Sequence, residues 1–223
     1  VICVNGAEVR SKEGDVLSAT PIGKQLAREV AARLTEKDVY FEVYTNQGAF
    51  TIDPDKAVSI LVDIVMSANP EANQAEIIEA AGARIRDGLI QTIEDYELLF
   101  ANDQYQIYKF LVFSFDGEKL EAANQALADL EELAIASSGH ENLEITNREA
   151  QKGIALESFV KERGIDLAET MAIGDNYNDV SMFEKAGRSV AMGNANYEIK
   201  SLCDVITDTN VESGVAKAIL EVI

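Results

Sequence analysis

The chain has 223 residues, 47% hydrophobic and 26% charged, which supports a packed core and excludes an intrinsically disordered chain. Thirty-nine acidic against nineteen basic residues give a formal net charge of −20. No basic cluster interrupts it, so nucleic acid and anionic membrane surfaces are excluded as partners.

No apolar run reaches the roughly 18–20 residues of a membrane span, and the opening lacks the basic leader of a signal peptide. The single histidine, His140, excludes a zinc site built on several histidines. Cys3 and Cys203 stand apart in apolar stretches, which fits reduced thiols and a cytoplasmic setting.

In chain order, Val1-Ile2-Cys3-Val4 reads as a buried strand ended by an Asn5-Gly6 turn. A domain rarely begins on such a strand, so further residues are expected before it. Residues 7–19 read as a hairpin around Lys12-Glu13-Gly14. Thr20-Pro21 is expected to start a helix, with Thr20 as N-cap and Leu26, Val30 and Leu34 as the buried stripe. Tyr40 to Tyr44 alternates as a strand, and Asn46-Gln47-Gly48 turns it into a second strand through Ile52. Asp53-Pro54 opens a helix burying Val58, Leu61, Val62 and Val65, and Asn69-Pro70 separates it from the next, which runs to about Ala83.

Residues 84–104 are expected to hold one short helix near Ile93–Phe100. Ile107–Phe115 is a strand, 117–134 an amphipathic helix, and 135–138 and 142–145 two more strands. After Thr146 the pattern becomes a regular alternation of short strands (169–173, 189–192, 204–207) and helices (150–163, 178–187, 195–202, 212–222), which implies a parallel sheet with helices on its faces. The expected fold is therefore α/β: a Rossmann-like parallel-sheet core in residues 1–20 and 146–223, incomplete here, interrupted by an α+β cap domain in residues 21–145.

The loop Gly174-Asp175-Asn176-Tyr177-Asn178-Asp179 follows an apolar strand and opens a helix. Ligands of open α/β sheets bind beyond the carboxyl ends of the strands. A carboxylate there suits Mg²⁺, a hard ion that takes few protein ligands. Asn178 lies at a helix start, where backbone N–H groups favour anions, and Asp179 can hold the loop or a nearby lysine. A solvated Asp/Asn turn is the competing account. An EF-hand is excluded, because Val180 and Ala186 stand where its Gly and Glu belong.

Lys152 opens a helix whose dipole it opposes, a poor structural choice that becomes a good one beside a phosphate. Ala191-Met192-Gly193-Asn194-Ala195 repeats the strand–glycine–helix pattern next to the acidic loop. The dinucleotide and P-loop patterns are absent, so no nucleotide cofactor is expected.

Together, Lys152-Gly153, the 174–179 loop, residues 190–195 and Val4-Asn5-Gly6-Ala7 resemble the Cof-type branch of the haloacid dehalogenase-like hydrolases. The resemblance covers essentially the whole chain, with residues 21–145 in the place of the cap. It implies a Mg²⁺-dependent phosphatase acting on a small phosphorylated metabolite through an aspartyl-phosphate intermediate. It also implies catalytic roles for Lys152, Asp175 and Asp179. Phosphate would be bound by Lys152, Asn178, Asn5 and Gly6, and the metal by Asp175 and Asp179. Substrate choice is expected from the cap, with Tyr44 and Asn46 as candidates, joined by Arg148. The chain is expected to act as a monomer or homodimer.

The sequence departs from the family in lacking the Asp-x-Asp-Gly-Thr segment that supplies the nucleophile and general acid, and the phosphate loop after it. Asp116-Gly117 follows a strand but reads as a helix start within the cap. The nucleophile is thus expected outside these residues. A catalytically inactive binding protein and a phosphomutase on the same fold remain the alternatives.

Overall fold

The computed structural model describes residues 1–223, apart from the side chain of Ala68. In chain order the elements are β1 (Ile2–Cys3), β2 (Glu8–Arg10), β3 (Val16–Ala19), α1 (Lys24–Glu36), β4 (Tyr40–Thr45), β5 (Gly48–Thr51), α2 (Pro54–Ala68), α3 (Gln74–Arg86), β6 (Ile90–Thr92), α4 (Glu97–Phe100) and β7 (Ile107–Phe113). They continue with α5 (Gly117–Leu127), β8 (Leu133–Ala136), β9 (Asn142–Asn147), α6 (Lys152–Lys161), β10 (Met171–Gly174), α7 (Val180–Phe183), β11 (Arg188–Ala191), α8 (Tyr197–Ser201), β12 (Val205–Ile206) and α9 (Gly214–Leu220). No helix among the described residues is long and apolar enough to cross a membrane.

The chain divides into two compact units. One comprises Val1–Thr20, Glu132–His140 and Thr146–Ile223, the other Pro21–Glu131 with Glu141–Ile145. Residues 132–140, placed by the sequence pattern with the inserted module, thus group with the first unit.

In the first unit β10, β11 and β12 form a parallel sheet, with Gly174 opposite Ala191 and Val190 opposite Val205. These strands are short, with Ala172, Val190 and Ala191 buried and Ile206 at the exposed end of β12. Ala172, Phe183, Ala191, Ala195 and Ile199 form a buried cluster, with Met182 and Cys203 against it. Each strand leaves directly into a loop and helix, and this puts three successive loops at the same edge of the sheet. Asn196 caps α8 by accepting the N–H of Ile199. β1, β2 and β3 form a separate antiparallel sheet.

The second unit is built on strands in the order β6-β5-β4-β7-β9. β4 is antiparallel to β5 and β7, and β5 is parallel to β6. Strand alternation puts Phe41, Val43, Phe110 and Val112, all buried, on one face, where Phe41 stacks on Tyr96. The opposite face carries Tyr40, Glu42, Tyr44 and Lys109. Glu42 is buried and accepts the hydroxyls of Tyr40 at 3.2 Å and Tyr44 at 3.0 Å. Burial raises the Glu42 carboxyl above its ordinary range, opposed by those two hydroxyls.

Several expected boundaries moved. α1 begins at Lys24, not Thr20, because the Ile22 N–H donates to the Ile107 carbonyl and holds the preceding residues extended. Ala27 joins Val30 and Leu34 in its buried stripe, while Leu26 is half-buried. In α2 the buried side chains include Ala57, Ile60 and Val62, whereas Val58, Leu61 and Val65 are half-buried. Asn73, not Asn69-Pro70, starts α3, its side chain accepting the N–H groups of Ala75 and Glu76. β6 had no sequence signal beyond Ile90 and exists through its pairing with β5. α5 stops at Leu127, where the Ala128 N–H turns to the Gln125 carbonyl, and Leu133–Ala136 is a strand rather than helix and loop.

Candidate active site

β10 ends at Gly174, and the loop beyond it is organised by one carboxylate. Asp179, 4% exposed, accepts the backbone N–H groups of Asp175 at 2.9 Å and Asn176 at 3.1 Å on Oδ2. Its Oδ1 takes the Lys152 ammonium at 2.6 Å. A buried carboxylate is tolerable only with such saturation by donors. A Cβ on residue 174 would overlap the Asp179 carboxylate, so the strand has to leave through glycine. Asn176 completes the turn by accepting the Tyr177 N–H and donating to the Ser138 carbonyl at 2.8 Å.

Lys152 reaches Asp179 because α6 and α7 meet closely at their first turns. The Gly153 N–H donates to Ser181 Oγ at 3.0 Å, and a Cβ on Gly153 would overlap the Ser181 carbonyl. The unfavourable placement of a lysine at a helix N-terminus is offset by the Asp179 carboxylate. The lysine stays partly accessible, with 31% of its side chain exposed.

Asp175 is the exposed acid of the loop. Its Oδ2 accepts from Asn194 Nδ2 at 2.9 Å. Among the described residues no group of three or more His, Cys, Asp or Glu side chains could hold a metal ion. With Asn194 on Oδ2, Asp175 still offers Oδ1 as a hard oxygen donor, which fits Mg²⁺, an ion content with one or two carboxylates when waters and phosphate oxygens complete its shell. Asp179, the other expected ligand, already carries partners on both oxygens, Lys152 on Oδ1 and the loop backbone on Oδ2.

Asn5 and Gly6 lie in a tight turn where Val4, Asn5 and Gly6 have φ of 47°, 58° and 103°. The left-handed region is strained for a β-branched residue such as Val4. A cavity of about 380 Å³ is lined by Asn5, Gly6, Lys152 and Asp179 on its polar side and by Ile2, Leu156 and residues 171–173 of β10 on its apolar side. Four of the expected site residues thus share one cavity, and Asp175 is joined to them through Asp179. Asn178 is half-buried in the same turn.

The remaining candidates have local partners of their own. Arg148 is exposed, and its backbone carbonyl accepts from Gln151 Nε2. Tyr44 and Asn46 belong to the second unit and have architectural partners. The Tyr44 hydroxyl donates to Glu42, and Asn46 holds the 104–106 segment through the Gln104 carbonyl and the Gln106 N–H. Asp116 caps α5, as its position predicts.

The chain's single Asp-x-Asp triplet, Asp53-Pro54-Asp55, also follows a strand. Asp53 caps α2 by accepting the Lys56 N–H, and both acids are exposed. Sequence reasoning noticed the 191–195 loop but not Asn194 as a site residue. The available signal was the repeat of the strand–glycine pattern in the neighbouring strand.

A family model for haloacid dehalogenase-like hydrolases matches residues 1–219. Phosphatase YwpJ of Bacillus subtilis (strain 168) is 38% identical over 218 residues, covering 97% of this chain and 76% of that protein. The 5-amino-6-(5-phospho-D-ribitylamino)uracil phosphatase YwtE of the same organism is 35% identical over 217 residues, with coverage of 97% and 76%. A solved haloacid dehalogenase-like hydrolase from B. subtilis superposes with a TM-score of 0.87 at 37% identity, covering 100% of this chain and 79% of its own. The site assembled around Asp179 and these matches along nearly the whole length lead to one statement: the chain belongs to the haloacid dehalogenase-like hydrolase family.

Proposed function

We propose that this chain carries the phosphate-binding and metal-binding part of a phosphatase. Its substrates would be small phosphate monoesters, hydrolysed in a Mg²⁺-dependent reaction through an aspartyl-phosphate intermediate. The observation that carries the reading is the linkage Lys152–Asp179–Asp175, in which one buried acid holds both an ammonium group from α6 and the loop of an exposed carboxylate beside a cavity. The phosphatase names of the relatives support it.

In this reading Lys152 draws the phosphoryl oxygens and stabilises the charge that develops on them. Asp179 keeps the ammonium in place. The Asn5-Gly6 turn and Asn178 supply donors to the phosphate. Asp175 is the protein ligand for Mg²⁺, which when bound adds further positive charge at the phosphoryl group. Because these residues hold no Asp-x-Asp-Gly-Thr segment and Asp53 caps α2, the attacking aspartate is assigned to a residue outside these 223.

The test compares the 223-residue chain with the product of the whole reading frame. The assay is Mg²⁺-dependent phosphate release from p-nitrophenyl phosphate and a monoester panel that includes 5-amino-6-(5-phospho-D-ribitylamino)uracil. The whole product is expected to be active and the 223-residue chain inactive. An inactive whole product defeats the phosphatase reading. Activity in the 223-residue chain defeats the assignment of the nucleophile.

A further inference from the structure

An exposed carboxylate on a loop samples several rotamers, yet Asp175 is held at one oxygen. Asn194 Nδ2 donates to Asp175 Oδ2 at 2.9 Å. The Asn194 amide is itself oriented, because its Oδ1 accepts the Asn210 backbone N–H at 3.0 Å. A carboxamide is an acceptor at one end and a donor at the other. Anchoring its oxygen on a backbone donor therefore leaves the NH₂ end, and only that end, to meet Asp175.

The three residues come from the three successive loops after β10, β11 and β12, and those loops are cross-linked by backbone. The Met192 N–H donates to the Gly174 carbonyl at 2.9 Å and the Gly193 N–H to the Asp208 carbonyl at 3.0 Å. Lys200 Nζ donates to the Gly193 carbonyl at 2.7 Å and fixes the middle loop.

We propose that Asn194 is a positioning residue for metal binding: it occupies Oδ2 of Asp175 and leaves Oδ1 for a divalent cation. This rests on the reading of Asp175 as the Mg²⁺ ligand. The relay explains why an asparagine follows Gly193. A side chain with two acceptor ends would repel Asp175, and one with no polar end would leave the Asn210 N–H without this acceptor.

The experiment measures Mn²⁺ affinity from the electron paramagnetic resonance signal of the free ion, using MnCl₂ and the 223-residue chain. Asn194→Ala is expected to bind Mn²⁺ about 10- to 100-fold more weakly, the usual range for losing a partner of a ligating side chain. Tyr177→Phe removes hydroxyl bonds to Glu198 and Asn196 in the same loop region without touching Asp175, and is expected to stay within about twofold of wild type. Equal affinity in Asn194→Ala and wild type overturns the positioning role alone. Absence of Mn²⁺ binding by the wild-type chain overturns the metal reading of Asp175 and this inference with it.

Should Asn194→Ala not fold, the wild-type chain decides. The Asn194 side-chain amide protons are expected to shift on Mg²⁺ titration, and an unmoved amide beside a shifting Asp175 N–H overturns the proposal.

Discussion

Asp179 holds Lys152 Nζ on one carboxylate oxygen at 2.6 Å while its other oxygen accepts the N–H groups of Asp175 and Asn176. One buried side chain thus orients both the ammonium and the acidic loop. Asp179→Asn keeps the shape but removes the charge and turns one acceptor into a donor facing Lys152 or the backbone N–H groups. Stability is expected to fall by about 2–3 kcal/mol. The phosphatase kcat/KM of the whole reading-frame product should fall about 100-fold, since a misplaced lysine no longer meets the developing charge. Urea unfolding and p-nitrophenyl phosphate kinetics measure the two effects, and an unchanged urea midpoint would contradict the role given to Asp179.

The glycines at 153 and 174 are demanded by close approach. Gly153→Ala drives a methyl group into the Ser181 carbonyl, and Gly174→Ala drives one into the Asp179 carboxylate. Each is expected to cost about 2–3 kcal/mol, the scale of overpacking against atoms that have little room to give. Denaturant midpoints for the two variants check this, and wild-type-like values would mean that the loops separate easily.

Asp175 is exposed and bonded to Asn194. Asp175→Asn should therefore leave the stability of the metal-free chain within about 0.5 kcal/mol while abolishing the upward shift of Tm expected of Mg²⁺ binding by mass action. Thermal unfolding with Mg²⁺ and with a chelator separates the two. A retained Mg²⁺ shift in the variant would move the metal site elsewhere.

Glu42 has its carboxyl pKa raised chiefly by burial. A raised folded-state value means that the protonated form favours the native state. The contribution is present in full below the unfolded carboxyl value and is lost as pH rises through the folded one. Glu42→Gln, which cannot ionise, should gain stability relative to wild type as pH rises above the ordinary carboxylate range. Chemical unfolding at pH 5 and pH 8 reads the difference, and a constant gap between the two proteins would refute this origin.

Asp53-Pro54-Asp55 imitates a catalytic pair in sequence and serves as a helix cap in structure. Asp53→Ala is expected to cost about 1 kcal/mol through the lost cap on the Lys56 N–H and to leave phosphatase activity of the whole reading-frame product unchanged. Loss of activity without loss of stability would make this triplet a candidate catalytic pair.

The alternation of apolar strands and helices after Thr146 was legible because burial of short parallel strands forces continuous apolar runs. The loop 174–179 was legible because glycine, aspartate and asparagine cluster where a strand must turn into a helix. Local pattern misplaced the start of α1, which a single hydrogen bond from Ile22 to Ile107 delays. It also missed β6, whose three residues are a strand only through β5.

The sequence by itself determined the α/β order of the chain and the side chains with suitable chemistry: Lys152, Asp175, Asn178 and Asp179. It named Asp175 and Asp179 alike as ligands, because neighbouring acids look alike in one dimension. Tertiary structure sets the partners that each of them has. Lys152 lies 27 residues from Asp179 and Asn194 lies 19 from Asp175, and whether a carboxylate oxygen is spent or open depends on donors that only folding brings within about 3 Å.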